Sequence, residues 1–132
     1  NTATRFKKYM ENVPGELAME QLVEGAFFNS MNRLPTKDEL KEQVRVLATS
    51  YIDEFNQMNE MYAFIDNMNM IKSPNQSWEV EPTDEVLNQF VDTAAQTASE
   101  AFNARYRDDI TAATYASEKM KMDEAMLKAM FG

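Results

Sequence analysis

Carboxylates are the side chains best supplied for chemistry in this sequence. Twenty-two Asp and Glu stand against thirteen Lys and Arg, and the chain has neither His nor Cys. Carboxylate catalysis of the glycosidase kind needs two acids facing each other across a cleft. The evident pairs, Asp53-Glu54, Asp108-Asp109 and Asp123-Glu124, are sequence neighbours. On a helix they point in different directions and cannot share a site. Without His, the commonest general base, pH switch and metal ligand are gone. A catalytic triad, a zinc site and a Glu-x-x-His di-iron bundle are therefore excluded or badly impaired. In Asp66-Asn67-Met68-Asn69-Met70, Met occupies the third and fifth positions, where a calcium loop needs oxygen ligands. With only Gly15, Gly25 and Gly132, there is no glycine-rich phosphate loop. No catalytic, metal or cofactor-binding residue is assigned, no cofactor is expected, and the chain is read as a non-enzyme.

Binding is the chemistry that remains. Eleven Met is several times the usual share, and Met serves both soft cores and adaptable binding surfaces. The segment Met120–Phe131 has the profile of an amphipathic helix that enters a groove on a partner, through Met120, Met126 or Leu127, and Met130 or Phe131. The plainer alternative is a terminal helix that closes its own bundle. Met58, Met61, Phe64, Met68 and Ile71 form a second candidate surface. Trp78 is either a staple holding its loop to the bundle, the favoured reading, or a partner anchor. Asn75-Gln76-Ser77 matches a glycosylation acceptor, a pattern common by chance.

The net charge is −9, and residues 73–104 carry six acids and no base. Glu79, Glu81, Asp84 and Glu85 form an acidic patch there. No basic face is visible, which disfavours direct binding of nucleic acid. No apolar run is long enough to cross a membrane, and the start lacks the apolar core of a signal peptide. These features suggest an intracellular protein or one inside a large assembly. The chain also lacks an initiator Met, so it reads as processed or as a segment of something longer.

The elements that position these residues are all helices. From Thr36 to Ile71 there is no Gly or Pro. Leu40, Val44, Leu47, Tyr51, Phe55, Met58, Tyr62 and Ile65 follow one another at steps of three and four, one continuous helical stripe. Thr36 with Glu39 makes a capping box that starts this helix. Toward its end Met61, Phe64, Met68 and Ile71 widen the stripe, so that face needs cover from later helices or another chain.

Before it, residues 3–12 suggest a short helix with Phe6, Tyr9 and Met10 on one side and Arg5, Lys7 and Lys8 on the other. Pro14-Gly15 makes a joint. A helix over 16–32 then packs through Leu17, Leu22 or Val23, Ala26, Phe27 and Met31, with Phe28 flanking. Gly25 inside it suggests a close helix crossing. An acidic row, Glu16, Glu20 and Glu24, matches a basic row, Lys37, Lys41 and Arg45, in which hairpin geometry puts Glu24 near Arg45. Two ordinary solvated faces explain the rows as well.

After the loop 72–82, Thr83 caps a region without Gly or Pro up to Phe131. Leu87, Phe90, Val91, Ala94, Ala98, Phe102 and Tyr106 carry its stripe, and Ile110, Ala113, Ala116, Met120, Leu127 and Phe131 extend it. Ala94, Ala95, Ala98, Ala101 and Ala104 offer a small-residue surface for close packing. A break near Arg107-Asp108-Asp109, where Asp can cap a new helix, is favoured over one continuous rod. The Pro-Thr openings at 35–36 and 82–83 hint at a duplicated unit, although two independent caps account for them equally.

The expected fold is all-α, without β-sheet: one helical domain over 1–132, an elongated bundle of 3–5 helices built on a central helix at about 36–72. The flanking helices are expected at about 3–12, 16–32, 83–107 and 109–131. The expected function is that of a non-catalytic interaction or assembly subunit, in a virion or another large assembly. It would bind protein partners through Met- and Phe-rich faces, as an oligomer or part of a complex, without nucleic acid or membrane. Two alternatives are an acidic inhibitor that imitates nucleic acid and an accessory subunit of an enzyme.

Overall fold

A computed structural model describes residues 1–72 and 80–132. Five helices follow in order: α1 (Thr2–Met10), α2 (Glu16–Met31), α3 (Lys37–Lys72), α4 (Asp84–Arg105) and α5 (Arg107–Phe131). No strand occurs among the described residues. Trp78, Glu79 and the Asn75-Gln76-Ser77 motif lie outside them.

The central helix forms as its spacing requires. Its 36 residues make a rod of roughly 54 Å, against which α1, α2 and α4 all pack. The capping box at its start closes in both directions. The Thr36 N–H donates to Glu39 Oε1 at 3.0 Å, and the Glu39 N–H donates to Thr36 Oγ1 at 3.2 Å. Leu47, Tyr51, Phe55 and Met58 are buried, while Leu40, Val44 and Tyr62 pack half-buried at the edges.

α2 ends at Asn32, whose left-handed backbone (φ 56°, ψ 34°) turns the chain toward α3. Asn tolerates this region better than most residues, because its short polar side chain can bond locally. The buried face of α2 differs from the expected one. It runs through Met19, Val23, Phe27 and Met31, leaving Leu17 and Leu22 in solvent. A pure i, i+4 row winds around the helix, so contact follows a ridge inclined to the axis rather than a stripe parallel to it. A Cβ added at Gly25 would meet nothing within 4 Å, so no close crossing occurs there within the chain. Nor does an ion pair join Glu24 to Arg45 among the described residues.

α1 also departs from expectation. Arg5 is buried and Phe6 is exposed at 44 %. The Arg5 guanidinium donates to Asn59 Oδ1 at 3.0 Å and Asp66 Oδ2 at 3.1 Å, and lies 3.5 Å from Glu81 Oε1. A charge tolerates burial when carboxylates neutralise it and its donors are satisfied, and the planar fork of Arg suits that geometry. Beside it, the buried Tyr9 hydroxyl donates to the Tyr51 carbonyl at 2.7 Å.

Thr83 caps α4 through the Val86 N–H. Leu87, Ala94, Ala98 and Phe102 are buried, whereas Ala95, Ala101 and Ala104 face outward, so only part of the alanine surface packs. The break after α4 falls at Tyr106, one residue before the expected run. It does not use an Asp cap, since Asp108 and Asp109 lie inside the first turn of α5. The Tyr106 N–H still bonds to Phe102 O and the Ile110 N–H to Tyr106 O, so the two helices meet at a kink rather than a loop. The buried Tyr106 ring holds the kink. It sits 4.8 Å from Phe27 and 5.1 Å from Phe102, centre to centre.

Candidate partner-binding surface

The kink carries α5 past the core. Ile110 and Ala113 pack half-buried against it, beside α2. Beyond Ala113 every residue is exposed. A terminal helix closing its own bundle is therefore overturned for residues 114–132. Met120, Met122, Met126, Leu127, Met130 and Phe131 are all at least 56 % exposed. At 3.6 residues per turn, they share about half of the helix circumference with Tyr115 and Ala116. Ser117, Glu118, Lys121, Glu124 and Lys128 occupy the other half. Two charges fall within the apolar half, Lys119 and Asp123, and they neutralise each other in an i, i+4 pair at 3.0 Å.

A second apolar surface lies on the last turns of α3. Met61, Phe64 and Ile71 are exposed and Met68 is half-buried. Their steps of three, four and three put them on one face. Met58 does not join it. It is fully buried in the core, where the stripe points inward, and it cannot touch a partner in this fold. The two surfaces sit on different helices, α3 and α5, which share no packing contact among the described residues.

A third feature was not legible in the sequence, because three helices build it. α2, α3 and α4 enclose a groove of about 460 Å³. Leu22, Val46 and Ala98 contribute to its apolar walls, and Ala95 and Ser99 lie along the α4 side. Gln43 lines it at only 5 % exposure, and its amide makes no hydrogen bond among the described residues. The α3 and α4 residues lining the groove run over 43–51 and 95–103, so it is roughly 12 Å long.

Burial, chiefly, pushes the Tyr9 and Tyr51 hydroxyls above their ordinary range. Tyr106 moves the same way, first from burial and then from the nearby Glu39 and Glu42 carboxylates. Its buried hydroxyl lies near the Glu39 carboxylate but outside hydrogen-bonding geometry, and neither it nor the buried Glu81 Oε2 has a hydrogen-bond partner among the described residues. At the base of α5, Arg33 grips Glu39 with two bonds of 2.9 and 3.0 Å, and its guanidinium lies 5.1 Å from the Phe27 ring centre. That hydrogen-bonded grip holds the Glu39 carboxyl down at about 2.

Glu81 is committed to Arg5, whereas Asp84 and Glu85 lie exposed in the first turn of α4. Asp66, from the calcium-like segment, also serves Arg5. No group of three or more acids is placed to hold a metal ion among the described residues, nor is any helix there long and apolar enough to cross a membrane. Comparison with protein-family models, curated proteins and solved structures finds no match.

Proposed function

We propose that this protein is a non-catalytic interaction subunit that docks onto a protein partner through the exposed stretch of α5, residues 114–131. One observation carries the reading: residues 114–131 hold a regular helix with a half-circumference of Met, Leu, Tyr and Phe that none of the described residues covers. An isolated helix of this length is marginal in water, and an amphipathic face draws most of its stability from packing. Exposed apolar area on this scale marks an interaction site. The outer face carries acids and bases in balance, unlike the Lys- and Arg-rich face of a helix that lies on a membrane. A helix laid into a groove on a protein is the recognition mode that fits.

The test compares the full chain with the Met126→Asp/Met130→Asp variant, which alters only exposed positions. Light scattering after gel filtration, with mass spectrometry of material purified from the native source, should find the full chain in an assembly of fixed stoichiometry. The variant should keep its helical circular dichroism but run alone. A full chain that runs as a lone monomer and retains no stoichiometric partner would overturn the reading.

A further inference from the structure

We infer that the occupant of the groove between α2, α3 and α4 is the exposed stretch of α5 from a second copy of this chain. The inference rests on the reading of α5 as a docking helix and names its partner. The chain leaves both halves of one contact unmated. Met120, Met126, Leu127 and Met130 span eleven residues, about 15 Å of helix, against a groove roughly 12 Å long. Leu22, 55 % exposed at the groove wall, and the unbonded Gln43 amide inside supply an apolar rim and one polar anchor.

The helix cannot fill its own groove. From Thr83 to Phe131 there is no Gly or Pro, and the kink at Tyr106 keeps its backbone hydrogen bonds, so the chain has no turn with which to fold α5 back along α4. An α5 helix seated in this groove must therefore come from another molecule. Charge favours a copy of this segment. Residues 114–132 hold three Lys and three acids, whereas the remainder of the chain carries the whole net charge of −9. That stretch of α5, like residues 1–35, carries no net charge and can approach another copy without net repulsion.

Mutual exchange closes into a two-fold dimer, each copy giving one helix end and receiving one. Two grooves of this size bury less than a standard stable interface. Size thus permits a dimer that dissociates on dilution.

Because the chain has no Cys, engineered thiols give an unambiguous readout. One full-length chain carries Ala95→Cys at the groove edge, and a differently tagged chain carries Met126→Cys on α5. Mixed and oxidised, they should form a mixed disulfide dimer that reducing agent dissolves. Light scattering of the unmodified chain should give twice 15.2 kDa. Ala95→Trp, a substitution at an exposed position that blocks the groove, should return the chain to monomer, as should Met126→Asp/Met130→Asp.

A dimer that survives Ala95→Trp and forms no mixed disulfide would overturn the groove as receptor while leaving α5 as a docking helix. A monomer that binds a different protein through α5 would overturn the second copy alone. A small apolar molecule found in the groove by native mass spectrometry would also overturn it. If Met126→Asp/Met130→Asp changes no assembly at all, both readings fail together.

Discussion

Glu39 is the point where the start of α3 and the turn after α2 are fastened together, and its replacement by Gln isolates the ionic part of that joint. Gln keeps a carbonyl for the Thr36 N–H but loses the charge that grips Arg33. The folded carboxyl sits at about 2 against an ordinary value of 4.5. A depressed carboxylate stabilises the fold above its unfolded pKa, and the benefit drains away as pH falls through the folded one. Taken at face value the shift would amount to about 3 kcal/mol. Arg33 is 40 % exposed and Glu39 22 %, however. Solvent screening reduces such a pair to about 1 kcal/mol. Urea unfolding of both proteins should therefore show the Gln variant less stable by about 1 kcal/mol at pH 6, with more than half of that gap lost by pH 3. A gap unchanged between pH 6 and pH 3, or absent at pH 6, would refute the account.

Three further substitutions probe separate features. Arg5→Ala should destabilise the fold by about 2 kcal/mol in chemical denaturation, because Asp66 and Glu81 keep their charges and regain only part of their hydration. Tyr106→Phe removes a buried hydroxyl without a partner, so it should be neutral or stabilising by up to about 1 kcal/mol, a rise of about 3–5 °C in Tm by calorimetry. Gly25→Ala places a methyl in open space on a helix and should stabilise by about 0.5–1 kcal/mol, measured by the same melts.

Much of the fold was legible because its signals are local. The steps of three and four between Leu40 and Ile65 fix a helix whatever lies around it, and a capping box is complete within four residues. The long α3 and the start of α4 follow from such patterns. What escaped depends on distant partners. The burial of Arg5 needs Asp66 and Glu81, which lie far along the chain. The choice of Met19 over Leu17 on α2 follows from an inclined ridge that only the neighbouring helices define. The kink was expected for its Asp residues and occurs instead because an aromatic corner of Phe27, Phe102 and Tyr106 pins the backbone one residue earlier. Of the candidate surface, the α5 residues were readable as an apolar face and their exposure was not. The groove was invisible, since its walls come from three separate helices.

Methionine is also the one apolar side chain that peroxide readily makes polar. Met120, Met122, Met126 and Met130 are exposed residues, while Met19, Met31 and Met58 are buried. Mild oxidation should convert the first group to sulfoxides and spare the second. Peptide masses would then report which thioethers a bound molecule shields, and a preparation left to age in air would lose its grip on that molecule without unfolding.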